Sequence, residues 1–377
     1  MIRSTDRILT THAGSLPRPA DLWQMVLAKM QAKPYDQAAL DARVKSAVAE
    51  TVEKQLAVGL DSVNDGELSK PNFLNYVRER VGGLDPKPGP TEPSAISARD
   101  RTEFQAYFDK TGAGFPTQPM YVREPLRYIG QQAVATDIAN FTAALAGKSP
   151  RESFIPSCAP GSIEHWMRNA YYKDDQEFLF ALADVMHDEY KAITDAGFLI
   201  QIDNPDLPDG WQMFPQMTVP EYQQYANLRV DALNHALRDI PEDKIRFHTC
   251  WGSYHGPHKY DIPLKDIVDL MLRCKASSYS IEASNPCHAH EWRVLEDVKL
   301  PAGKVLIPGV VGHSTDFIEH PDLVAERIVQ YARLVGRENV MASTDCGLGQ
   351  RVHEDIAWAK FASLVEEARR ASKQLWG

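Results

Sequence analysis

The chain has 377 residues, 44% hydrophobic and 24% charged, a composition that fits a soluble globular protein of one large domain or two ordinary ones. Its 41 Lys and Arg against 51 Asp and Glu give a net charge of −10 with no long basic run, which argues against a nucleic-acid or anionic-membrane surface. No apolar run approaches the roughly 18 residues of a membrane span, Met1 to Asp6 lack an apolar targeting segment, and Cys158, Cys250, Cys274, Cys287 and Cys346 are too scattered for a disulfide framework, so a cytoplasmic protein with reduced thiols is expected.

In chain order, Arg7 to Thr11 reads as a short strand running into a loop, His12-Ala13-Gly14-Ser15-Leu16-Pro17. Leu40, Val44, Val48, Val52 and Leu56 recur every fourth residue and predict a helix from Asp36 to Val58, ended by Gly59. Leu60 to Asn64 is a second strand, followed by Asp65-Gly66-Glu67. The stretch from about 82 to 150 fits no simple period, is rich in Pro, Gly and charge around 85 to 93, and reads as an excursion from the main fold. Regularity returns with a strand at 153–157, a helix at about 176–196 and a strand at 198–202 that meets Asp203. A helix at about 219–238 precedes a strand at 244–248, and strands at 278–282, 304–310 and 340–345 follow, separated by helices centred on Ile267 and spanning 323–335.

Eight strands alternating with helical patterns predict a (β/α)8 TIM barrel with a large insertion between strands 2 and 3, here a single catalytic domain over residues 1–377 with the insertion at about 82–150. A doubly wound open sheet is the structural alternative, but it would normally bring a phosphate-binding glycine loop, and neither GxGxxG nor Walker A occurs.

Strand C-termini share one rim of such a barrel, so residues far apart in sequence converge there. Alternation along the strand sends His248 and Cys250 to one face, two later strands end at Glu282 and Cys346, and this set predicts a zinc site. The competing reading keeps Cys250 and Cys346 as packed thiols and Glu282 as a rim carboxylate. Glu67 and Asp203 are placed to bind an ammonium group, or else to cap helices. His313 follows a strand end and suits a general acid, or packs beneath the rim. Trp166 suits the stacking of a flat heterocycle, or the core. Cys287, His288 and His290 imitate a metal cluster but lie beyond their strand end.

As a set, Ala13 to Pro17, Asp65-Gly66-Glu67, Gln201-Ile202-Asp203, His248-Thr249-Cys250, Ser280 to Ser284, Pro308-Gly309-Val310 and Asp345 to Leu348 resemble the catalytic domain of cobalamin-independent methionine synthase, in the family's order. The resemblance implies a (β/α)8 barrel and zinc on His248, Cys250, Glu282 and Cys346. It implies amino-acid thiol recognition by Ser15, Glu67 and Asp203, acid assistance by His313 and a folate ring near Trp166. The chain departs from the family at Asp65, where His is usual, at Asn204, where an acid is usual, and in the segment after Val81; the full-length family enzyme also has a second, N-terminal barrel.

The expected function is zinc-dependent thiol S-alkyl transfer, a methyl group passing from a reduced folate to homocysteine or a related small thiol. Epoxyalkane:coenzyme M transferases resemble the same single barrel and provide the alternative, zinc-thiolate opening of an epoxide, in which Arg18 or Arg168 would meet a sulfonate. A metal-free decarboxylase of the uroporphyrinogen type and a non-catalytic zinc protein are more remote. The partners expected are these small molecules, with no nucleic acid or membrane; an assembly of identical chains is compatible with the sequence.

Overall fold

The computed structural model describes residues 1–92, 95–112 and 118–377. Eleven strands are found among the described residues: β1 (Leu9–Thr10), β2 (Ser62–Asn64), β3 (Val81–Leu84), β4 (Met120–Tyr128), β5 (Glu152–Cys158), β6 (Met167–Asn169), β7 (Leu199–Asp203), β8 (Ile245–His248), β9 (Ser278–Glu282), β10 (Val305–Val311) and β11 (Met341–Thr344). Eight form one parallel sheet in the order β1-β11-β10-β9-β8-β7-β5-β2. The two ends of that sheet meet through Asp61 N–H donating to Thr10 O at 3.0 Å and Thr11 Oγ1 donating to Ser62 O at 3.3 Å. The result is the nearly closed barrel that the strand count predicts, and all eight barrel strands fall on the predicted runs.

Local chemistry explains the main helices. Asp36 caps Gln37–Val58 by accepting from Ala39 N–H, Asp174 caps Asp175–Asp195 through Glu177 N–H, and Thr218 with Glu221 forms a capping box on Val219–Ala236. Their apolar stripes join the outward residues of the strands in one core, in which Phe247 of β8 and Tyr279 of β9 meet across the ladder with rings 6.0 Å apart. Inside the barrel Arg246 is fully buried beside the β1–β2 seam, donating to Thr11 Oγ1 at 3.2 Å, Ser62 Oγ at 3.0 Å and His12 O at 3.3 Å. Its guanidinium lies over the Phe154 ring at 3.8 Å.

The segment between β2 and β5 contributes β3 and β4, an antiparallel pair, and β4 also pairs in parallel with β6, which follows β5. Within the segment, helix Gln131–Leu145 returns to the outer ring against Gln37–Val58 and Asp175–Asp195. Helix Ala98–Thr111 instead lies over the loops after β7 and β8: Arg99 donates to the carbonyls of Trp211, Phe214 and Met217, and Asp100 accepts from Tyr254 and from Tyr260 N–H. Among the described residues no helix is long and apolar enough to cross a membrane.

Candidate active site

His248 closes β8, and the ladder continues past it, with Thr249 N–H donating to Ser280 O and Asn204 N–H to His248 O. The backbone is therefore still extended where Cys250 follows, and His248 and Cys250 share a face. Cys346 arrives from β11, where Gly309 of β10 permits the approach; a Cβ at Gly309 would sit 2.3 Å from Asp345 Cα.

The ligand atoms of His248, Cys250 and Cys346 all lie within 4.8 Å of one another, and these three residues are the one such group of His, Cys, Asp or Glu among the described residues. Cys250 Sγ and Cys346 Sγ stand 3.8 Å apart. Two thiolates on one tetrahedral zinc, each at about 2.3 Å, stand about 3.8 Å apart. His248 Nδ1 is held by Ser280 Oγ at 3.1 Å, while Nε2 is buried without a hydrogen-bond partner. A hydroxyl holding one ring nitrogen while the other stays bare is the arrangement a ligating imidazole has. The donor set thus fits zinc. The interaction with Cys250 holds the Cys346 thiol well below its ordinary range, with His248 and His313 adding to the effect; Cys250, facing Cys346 in a buried setting, is pushed well up. Burial works against a charged His248, yet Cys346, Asp203 and Glu282 raise its pKa on balance.

Glu282, expected as a fourth ligand, is buried beside this group but not in it. Trp251 N–H donates to its Oε1 at 3.0 Å and Asn285 Nδ2 to its Oε2 at 2.7 Å. Three protein ligands and an open position are the usual stoichiometry of a catalytic zinc.

Glu67 and Asp203 form the second part of the site. Neither is the N-cap of a helix: Leu74 and Pro205 occupy those positions nearby. Glu67 is 3% exposed, adopts φ +55°, and has Oε1 against Gly14, where a Cβ would stand 2.9 Å from it. Its Oε2 has no hydrogen-bond partner among the described residues. Asp203 Oδ1 accepts from Gln201 Nε2 at 2.9 Å, and burial, with the nearby Glu67 charge, raises its carboxyl to about 7. Ser15 lies against the Cys346 loop, where a Cβ on Gly347 would stand 2.5 Å from Ser15 Oγ, so glycine is required there.

His313 lies two residues past β10, is 1% exposed, and has no hydrogen-bond partner on either ring nitrogen among the described residues. The backbone hydrogen bond of a merely packed imidazole is not formed. Trp166, between the short helix Pro160–Glu164 and β6, is half-buried and lines a small hollow with Leu74, Val77, Met120 and Met167. None of the residues lining that hollow is His248, Cys250 or Cys346. His288 is not a ligand in this arrangement: its Nδ1 meets Glu291 at 2.8 Å, its Nε2 meets Asp261 at 3.2 Å, and its ring stacks on Trp251 at 3.9 Å. His290 is exposed and Cys287 faces Pro257 O.

Three residues to which the sequence reading gave no role also stand here. Lys70 is buried beside Glu67, at 3.6 Å from Oε2. Asp209 is buried with Oδ1 unpartnered and facing Gly252, and burial holds its carboxyl well above the ordinary range. Asp345 accepts from the N–H groups of Ala283 and Ser284 at 2.7 and 3.0 Å, tying the loop after β9 to the β11 end. Asp345 adjoins Cys346 in sequence, which was its signal; Asp209 in Pro208-Asp209-Gly210 resembles an ordinary turn acid, and Lys70 a surface lysine.

Comparison with known proteins places the chain in a family and agrees with the fold. Residues 159–370 match the family described as the catalytic domain of cobalamin-independent synthase. The chain is 25% identical over 378 aligned positions to a methionine synthase of Thermococcus kodakarensis, covering 97% of this chain and 94% of that one. It is 24% identical to a methionine synthase of Pyrococcus furiosus, covering 97% and 93%. Among solved structures, a B12-independent methionine synthase from Shewanella sp. W3-18-1 superposes with a TM-score of 0.76 at 19% identity, covering 98% of this chain and 99% of that one. The family match spans more than half of the 377 residues, and the chain belongs to the cobalamin-independent synthase catalytic-domain family.

Proposed function

We propose that this protein is a zinc-dependent S-methyltransferase that converts homocysteine to methionine with a reduced methylfolate as donor, acting as one catalytic unit in the reducing environment of the cytoplasm. The observation that carries the reading is the Cys250–Cys346 separation of 3.8 Å beside a bare His248 Nε2. Relatives named methionine synthase along almost the whole chain give it the reaction class.

Bound zinc would supply the Lewis acidity that stabilises a substrate thiolate near neutral pH, where a free thiol with pKa about 8.5 is mostly protonated. Cys250, Cys346 and His248 would hold the metal. Glu67 and Asp203 would take the substrate ammonium, a charge-assisted interaction that also relieves the repulsion between their own carboxylates. Ser15, packed on Gly347, would line the path between the two groups. The thiolate attacks the donor methyl carbon, the carbon–nitrogen bond breaks, and His313 gives the departing nitrogen its proton. His313 suits this because no neighbour occupies either ring nitrogen. Trp166 is proposed to face the donor ring.

The epoxide alternative needs a free cation for a sulfonate, and the two arginines expected for it are engaged. Arg18 donates to Glu67 O and Lys70 O, and Arg168 to Glu92, His165 O and Met167 O. Calorimetry of the zinc-loaded protein against homocysteine, coenzyme M and a reduced folate tests the assignment. Homocysteine and the folate should bind and coenzyme M should not; the reverse pattern for the two thiols selects the epoxide reaction, and a protein without zinc selects neither.

A further inference from the structure

The acidic pocket contains a cation that the proposed reaction does not use. Lys70 is 2% exposed, yet the charges of four carboxyls reach it, Glu67 most strongly, then Asp65 and Glu189, with Asp203 feeling its charge in turn, while Arg80 opposes them. Burial would discharge a lone lysine, but Glu67 and Asp65 outweigh that and keep it an ammonium. Asp65, buried among the same charges, is raised to about 6. The ammonium is fixed from behind by donating to Pro156 O at 2.6 Å, with Nζ 4.5 Å from the Tyr76 ring centre. Its distance to Glu67 Oε2, 3.6 Å, is within ion-pair range and beyond a hydrogen bond. Glu67 Oε2 thus feels the positive charge while its lone pairs stay free.

The backbone is built around the same pair. Glu67 holds a left-handed φ of +55°, which costs a non-glycine residue of order 1 kcal/mol or more. Arg18 secures its carbonyl at 2.6 Å, and Lys70 N–H donates to that same oxygen at 3.1 Å, closing one turn. The turn sets the Lys70 side chain behind Glu67, away from solvent.

We propose that Lys70 is a positioning residue for acceptor recognition: its buried ammonium is the fixed counter-charge beside Glu67 that keeps that carboxylate aimed, so that a pocket with several carboxyls accepts the amino group of an amino-acid thiol. The inference rests on assigning Glu67 and Asp203 to that amino group. Lys70 acts through Glu67 and does not touch the substrate.

The test compares zinc-loaded Lys70→Met and Lys70→Arg with the unaltered protein. Binding of homocysteine and of 4-mercaptobutanoate, its counterpart without the amino group, is measured by calorimetry, alongside kcat at saturating homocysteine. Lys70→Met should weaken homocysteine by about tenfold or more, leave 4-mercaptobutanoate and zinc content unchanged, and keep kcat within a few-fold. Lys70→Arg, which keeps the charge, should restore most of the loss. In a Glu67→Gln background Lys70→Met should add nothing further, because the two residues act as one unit. Equal losses for both thiols, tighter homocysteine binding, or no rescue by arginine would overturn the proposal. If Glu67→Gln also treats the two thiols alike, the ammonium assignment falls with it; if Glu67→Gln discriminates and Lys70→Met does not, only the role of Lys70 falls. Should Lys70→Met not fold, Lys70→Gln, which can still donate to Pro156 O, carries the same comparison.

Discussion

Glu67→Gln isolates the ammonium interaction at little steric cost. The carboxylate is 3% exposed, and its Oε2 accepts from nothing, so the amide replaces a group with a vacant acceptor. Loss of a hydrogen bond to a charged partner costs about 1.5–3 kcal/mol. One feature places the expected value near the lower end, and a second limits how far it falls. Asp203 is raised to about 7 partly by the Glu67 charge, so neutralising Glu67 lets Asp203 ionise more fully and take over part of the attraction. Lys70 meanwhile loses its nearest carboxylate and repels the incoming ammonium, which opposes that recovery. We expect homocysteine affinity to fall by roughly 1.5–2 kcal/mol, about 10- to 30-fold. The affinity of 4-mercaptobutanoate should move by less than about threefold. Titration calorimetry on Glu67→Gln and the unaltered protein, at equal zinc content, makes the measurement. A Glu67→Gln protein that binds homocysteine normally, or that loses both thiols equally, would refute the assignment.

His313→Ala should keep zinc content and homocysteine affinity but lose roughly 10²- to 10⁴-fold in single-turnover rate, and the basic limb of its pH–rate profile should flatten; near-normal turnover with a lowered melting temperature would make it a packing residue. Stability should also fall with rising pH through His288. Burial disfavours its charge, but Asp261 and Glu291 outweigh this and raise it to about 9, so its contribution is fully present below the unfolded value of about 6.5 and is lost as pH approaches 9. Unfolding free energies from urea titrations at pH 6 and 9.5 should differ by on the order of 2–3 kcal/mol in the unaltered protein and by much less in His288→Gln; parallel pH profiles would contradict this.

The barrel was readable because its strands are short apolar runs bounded by helical patterns, and because a parallel barrel gathers every strand end on one rim. That is why His248, Cys250 and Cys346 could be grouped across almost a hundred residues. The small sheet of β3, β4 and β6 was not readable. Val81-Gly82-Gly83-Leu84 has two glycines in four residues, β4 carries Arg123, Glu124 and Pro125, and β6 lies beyond the segment that seemed to be inserted. Glu282 illustrates a different limit. Its place at a strand end was legible, but its side-chain direction depends on Trp251 N–H and Asn285, which no periodicity reveals. Lys70 escaped notice because a lysine is normally solvated, and only the fold discloses the carboxyls of Glu67, Asp65, Glu189 and Asp203 around it.

Zinc X-ray absorption of the protein as purified, before and after homocysteine, bears most directly on the thiol chemistry. One zinc per chain with two sulfur scatterers at about 2.3 Å, rising to three on homocysteine binding, is the predicted result, and Cys346→Ser should lose the metal while retaining its melting transition. Absence of stoichiometric zinc, or a sulfur count that homocysteine leaves unchanged, would contradict a site built on His248, Cys250 and Cys346.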